Sequence, residues 1–156
     1  MTTPVHQNQR LEIWIPGIPA PQGSKRLIRG RLIESSKKVK PWREAVTKAI
    51  QAEWGDTPPI DAAVTVTAEF LLPRPKTHYR TGTHSGELKP WAKHKQHRST
   101  PDLDKLQRST GDAITASGII RDDCEINRWE ASRRYAPDPL RCGANLTIYP
   151  TPTDTE

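Results

Sequence analysis

The chain has 156 residues, 33% hydrophobic and 15 of them proline, with 24 Lys+Arg against 18 Asp+Glu, a net charge of +6 and a pI near 9.5. That length fits one domain, and the basic balance suits a polyanionic partner without specifying a fold. No apolar run nears the roughly 20 residues of a membrane span. The start MTTPVHQNQR lacks the apolar centre of a signal peptide, and two cysteines, Cys124 and Cys142, are too few for a disulfide framework, so a reduced, cytoplasmic protein with no membrane partner is expected.

Residues 1–10 are expected to be a flexible N-terminus. In RLEIWIPG, Leu11, Ile13 and Ile15 alternate with Glu12 and Trp14, which predicts a strand stopped by Pro16-Gly17. Further on, RLI recurs on either side of Arg29-Gly30, the pattern of a short hairpin. Pro41 suits a first helical position, and WREAVTKAIQAEWG places Trp42, Ala45, Val46, Ala49 and Trp54 near one face, with Gly55 as a left-handed stop. Across residues 62–72, Val64, Val66 and Ala68 alternate with Thr65, Thr67 and Glu69, a strand of period two.

Residues 73–99 hold seven Lys/Arg, four His and a single acid with no sustained period. A loop this long in a small domain is usually functional or disordered. Tyr79 and Trp91 are interleaved there with Arg74, Lys76, Arg80, Lys89, Lys93, Lys95 and Arg98, a composition suited to following phosphates with occasional base stacking. A solvated insertion is the alternative. His94 and His97 with Cys124 and Cys142 lack the tight paired spacing of a zinc site, and Cys124 reads as a small buried residue. After the acidic stretch below, EINRWEASRRYA and ANLTIYP predict two more strands, and residues 150–156 a disordered tail.

The stretch TPDLDKLQRSTGDAITASGIIRDDCEI, residues 100–126, gathers six acids. As an ordinary helix it has Thr100 as cap, Pro101 at the first position, an apolar side with Leu103, Leu106, Ala113 and Ile114, and Asp104, Arg108 and Asp112 at ion-pair spacings of four. Gly118 ends it and RDD makes a turn. Asp102-x-Asp104, however, puts two like charges together, at a cost unless a cation shares them. A second pair, Asp122-Asp123, follows the apolar GII. A helix and strand folded back on each other would bring these carboxylates together as hard oxygen ligands for Mg²⁺ beside a substrate phosphate.

The stretch resembles the RusA-type Holliday junction resolvases, which carry Asp-x-Asp-Asn-x-x-Lys at a helix start, then Asp-Ala-Leu, then Asp-Asp with an apolar residue beyond. The matching residues are DLDKLQR, DAI and DDCEI, with 21 positions from Asp102 to Asp123. The N-terminal half is similar in outline, with a strand ending in prolines, Lys25 and Arg26, then ESS and the pair WR. The resemblance implies catalytic, metal-binding aspartates at Asp102, Asp104 and Asp123 and a cofactor of Mg²⁺ or Mn²⁺, with no small-molecule cofactor.

The family's basic catalytic residue falls on Arg108 and its Asn on Lys105; Arg keeps the charge but does not give up a proton as Lys can. Asp112, Asp122 and Lys105 are expected to support the site from behind. The resemblance further implies a homodimer and a four-way DNA junction as substrate; Lys25 and Arg26, and by its composition the basic segment through Arg74, Lys76, Arg80, Lys93, Lys95 and Arg98, are expected to contact the DNA. The basic arm would be mobile alone and order on branched DNA.

The fold expected is a small α/β (α+β) domain over residues 11–149, a mixed, mostly antiparallel sheet with two main helices. A DNA-binding module without catalysis, or a nuclease that nicks flaps without junction preference, are the competing readings.

Overall fold

Alternation in the first segment becomes strand β1 (Leu11–Pro16), with Leu11 and Ile15 buried and Glu12 and Trp14 exposed. The computed structural model describes residues 9–23, 25–28, 31–34 and 37–153, the two short stretches by their backbone alone. Those stretches are β2 (Lys25–Ile28) and β3 (Arg31–Glu34), an antiparallel hairpin. Its turn at Arg29-Gly30 lies outside the described residues, as do the side chains of Lys25 and Arg26.

Helix α1 (Val39–Trp54) begins two residues before Pro41, and Gly55 leaves it at φ 58° with its N–H on the Gln51 carbonyl. The remaining elements are β4 (Val64–Leu72), α2 (Leu103–Ser117), β5 (Ile126–Tyr135) and β6 (Gly143–Pro150). Beyond β6, Thr151 donates its N–H to the Ala63 carbonyl and bonds Thr65 through its hydroxyl, so the chain stays tied past the expected start of the tail. At the other end Gln9 is buried and Arg10 pairs with Glu12 at 2.8 Å, while residues 1–8 lie outside the described set.

The sheet runs β1-β6-β4-β5, with β1–β6 and β6–β4 antiparallel and β4–β5 parallel. A parallel pair needs a crossover, which α2 supplies. Both helices cover one face: Trp42, Val46 and Ile50 of α1 and Leu106 and Ile114 of α2 bury against Ile15, Val66, Phe70, Leu146 and Ile148. Flanked by β6 and β5, β4 also buries Thr65 and Leu71 on its far face, so its period two is blurred. The α+β domain with a mixed, mostly antiparallel four-stranded sheet and two main helices is as the residues predicted.

Residues 73–99 are folded where a mobile arm was expected. Three short 3-10 turns (Lys76–His78, Gly82–His84, Pro90–Ala92) and a Tyr79–Leu88 bridge shape the segment. Its anchor is the buried His78, edge-on to Trp91 at 5.2 Å and to Tyr135 at 4.9 Å. Arg74 joins this anchor by donating to the carbonyls of Ala92 and Ala136. Composition showed the charge of the segment but not this aromatic plug.

Candidate active site

Helix α2 starts two residues later than a Thr100 cap predicts: Asp102 is the N-cap residue, Thr100-Pro101 precedes the helix, and no side-chain cap bond is made. Three contacts fix its position. Trp42 Nε1 donates to Thr110 Oγ1 at 3.2 Å inside the core, Ser109 Oγ donates to the Ala20 carbonyl at 2.6 Å, and the Gln22 N–H reaches the Lys105 carbonyl at 3.1 Å. At the helix entrance Arg133 of β5 donates to the carbonyls of Ser99 and Pro101. At its exit Gly118 turns the chain at φ 87°, and Ile119 and Ile120 drop into the core. That returns the chain so that Asp122 and Asp123 emerge beside the exposed side of α2.

The result is a cavity of about 380 Å³ lined by Asp104, Arg108 and Asp112 from α2, Asp123 from the turn before β5, and Gln22, Gln107 and Trp129. Asp104 and Asp123, expected as metal ligands, and Arg108 therefore share one cavity. Asp112, expected behind the site, lines it directly and also meets Arg43 at 3.7 Å. Asp102 does not line the cavity; it is exposed and 3.8 Å from Lys105. Asp122 caps the turn by accepting from the Cys124 N–H at 3.1 Å. Cys124 is exposed rather than buried, in the short 3-10 turn Asp123–Glu125 that precedes β5.

The electrostatics follow from this crowding. The Asp123 carboxyl is pushed above its ordinary range, first by its hydrogen bond with Asp122, then by desolvation and the negative charges of Asp122 and Asp112. Asp122 is pushed down, first by the backbone N–H of Cys124 and then by Asp123. Among the described residues no ion pair engages Arg108. Among the same residues no three acidic, histidine or cysteine groups form a ready-made ligand cage. Mg²⁺ does not need one, since it takes one or two carboxylates and fills its shell with water and phosphate oxygens.

Gln22 had no signal in the sequence beyond a Pro- and Gly-flanked loop, yet its Oε1 is buried without a hydrogen-bond partner. Trp129 gives no signal in the sequence beyond its place in a strand.

Of the expected DNA contacts, Lys76, Arg80, Lys93, Lys95 and Arg98 are exposed on the folded segment, whereas the half-buried Arg74 is occupied by carbonyls and lies over Tyr135 at 5.1 Å. Trp42 is core, while Trp14 and Trp91 are the exposed ones, at 42% and 53%.

A small α+β domain with acids and an arginine gathered where a helix begins and a strand emerges has the layout of a phosphodiester-cleaving enzyme. Residues 16–143 match the family model of endodeoxyribonuclease RusA, and the chain belongs to that family. At the level of the family this means an endodeoxyribonuclease that resolves Holliday junctions. No curated protein matches the chain. Among the described residues no helix is long and apolar enough to cross a membrane.

Proposed function

We propose that the protein is a divalent-metal-dependent endonuclease that resolves four-way DNA junctions by paired symmetric nicks. The observation that carries this is the convergence of Asp104, Asp112 and Asp123 with Arg108 around one cavity, in a chain of the RusA family. The donors there are all hard oxygens, and the partnerless Gln22 Oε1 among the lining residues is a polar atom in want of a ligand, so the set fits Mg²⁺ or Mn²⁺. Asp104 and Asp123 would hold the ion, with Asp102 joining by leaving Lys105. When bound, the ion supplies an activated water and neutralises charge on the scissile phosphate.

The protein's own groups do the rest. Arg108, one turn beyond Asp104, presents fixed positive charge to the phosphate as negative charge builds in the transition state. Asp112 balances Arg43 and keeps the cavity wall acidic. The clamp on α2 from Trp42, Ser109 and Arg133 holds the acids in place without reorganisation during the reaction. Two symmetric nicks require two sites related as the strands are, which a two-fold dimer provides.

The test is cleavage of a labelled four-way junction and a matched linear duplex, each with Mg²⁺ or EDTA. Paired nicks on the junction alone, lost with EDTA, are expected. Cutting of both substrates would leave a nicking nuclease, and binding with no cutting would leave a DNA-binding module.

A further inference from the structure

A second concavity lies at the far end of β5. It has a volume of about 450 Å³ and is lined by Arg74, Lys93, Lys95, His97, Arg133 and Arg134, among others. The cations come from two places in the chain, the folded 73–99 segment and β5.

Two of them are held rigid. Arg133 is fixed by the carbonyls of Ser99 and Pro101, and Arg74 by those of Ala92 and Ala136. A guanidinium has five N–H donors, so each retains donors beyond these bonds. Side chains already fixed lose little entropy when a ligand arrives.

Among the described residues none of the ion pairs engages Arg74, Lys93, Lys95 or Arg133, and one acid reaches the group, Glu69 on Arg134 at 3.3 Å. Four cations around one hollow repel each other without an anion among them. The ring of His97 adds a buried Nδ1 with no hydrogen-bond partner, a polar atom that costs stability until something pairs with it.

We propose that this basic notch is a second phosphate site, which holds the DNA backbone a few nucleotides from the phosphate in the acidic cavity. Trp129 lines the cavity and Arg133 lines the notch. The two alternate in step on the same strand, four residues apart, which is about 13 Å at about 3.3 Å per residue. One DNA strand presents a phosphate about every 3.4 Å along its axis, so one strand can occupy both sites. Trp91, exposed and within 5.4 Å of the Lys95 ammonium, is available for a base to stack on. Arg133 ties the two sites, since the residue that lines the notch also braces Pro101 at the entrance of α2, the helix that carries Asp104 and Arg108.

This inference rests on the proposal that the substrate is DNA, and its test reads binding so that the two can fail separately. Fluorescence anisotropy of a labelled junction would be measured in EDTA over a range of salt, for wild type, Lys93→Gln/Lys95→Gln and, as control, Lys40→Gln/Lys48→Gln on the exposed side of α1. The notch variant is expected to weaken binding about tenfold or more and to lower the salt slope by about 2, roughly 0.9 for each phosphate no longer neutralised. The control should move little.

Unchanged affinity and slope in the notch variant, or an equal loss in the control, would overturn the proposal. If wild type binds DNA with these differences but cuts nothing in Mg²⁺, the notch stands and the nuclease reading falls.

Discussion

At one end of β5 three aspartates meet an arginine, all drawn from 20 consecutive positions, 104–123, whereas at the other end a notch of cations draws on residues from Arg74 to Arg134, 60 positions apart. The acid end gathers charge within one helix and the turn that follows it, so like charges are forced together by local geometry. The basic end gathers charge by tertiary folding, with guanidiniums steered into place by backbone carbonyls. The first arrangement suits chemistry, where donors must be fixed close together. The second suits grip, where charge need only lie along the path of a backbone.

The sharpest way to separate the two ends is Asp104→Asn. Cleavage of a junction should fall by about 1,000-fold, the upper end for a group at a reacting centre, while binding in EDTA stays level or tightens as a negative charge is lost. Arg108→Ala should cost about 100-fold in single-turnover cleavage, with Arg108→Lys recovering part of it because charge is retained without the forked geometry. Gln22→Ala tests a lining group that carries no charge. A loss of about tenfold in Mn²⁺ affinity is expected, read by electron paramagnetic resonance in the absence of DNA.

Effects on the scaffold are smaller. Ser109→Ala leaves the Ala20 carbonyl buried without its donor and should cost about 1–3 kcal/mol by urea denaturation, loosening the wall that carries Gln22.

The basic end also carries a pH signature. Burial, then the charges of Arg74, Lys95 and Lys89, hold His78 below its ordinary pKa of 6.5, and His97 is likewise lowered by burial and Arg133. Both are thus neutral in the folded state where the unfolded chain would begin to protonate. Their contribution to stability is complete above pH 6.5 and is lost as pH falls from there toward the lower folded values. Thermal unfolding followed by circular dichroism should show that decline, and His78→Phe should flatten it.

How legible each end was follows from the same contrast. The spacing of Asp102, Asp104 and Asp123 on a helix-and-turn pattern marked the acid end as a candidate but left an ordinary helix face equally open, and the resemblance of the motif decided between them. It could not say that Asp112 would line the cavity while Asp102 stood outside it, since a small shift at the helix start decides that. Gln22 and Trp129 were invisible for another reason: both reach the cavity through sheet order and a backbone bond to Lys105, which no local pattern carries.

The alternation of β1 and β4, the hairpin and both helices were readable from their periods. The parallel β4–β5 pairing was not, nor was the fact that His78, Trp91 and Tyr135 would convert a polar loop into a folded lobe. Arg133 and Arg134 looked like ordinary strand residues until the partner loop was in place.

The most direct test of the central claim is Asp123→Asn on a preformed complex with a labelled four-way junction, with binding and single-turnover cleavage read from the same samples after Mg²⁺ is added. The account predicts a complex as tight as wild type or tighter, in which cleavage is lost. Cleavage at the wild-type rate from that complex would contradict it, and would return Asp123 and its neighbours to the role of a solvated turn.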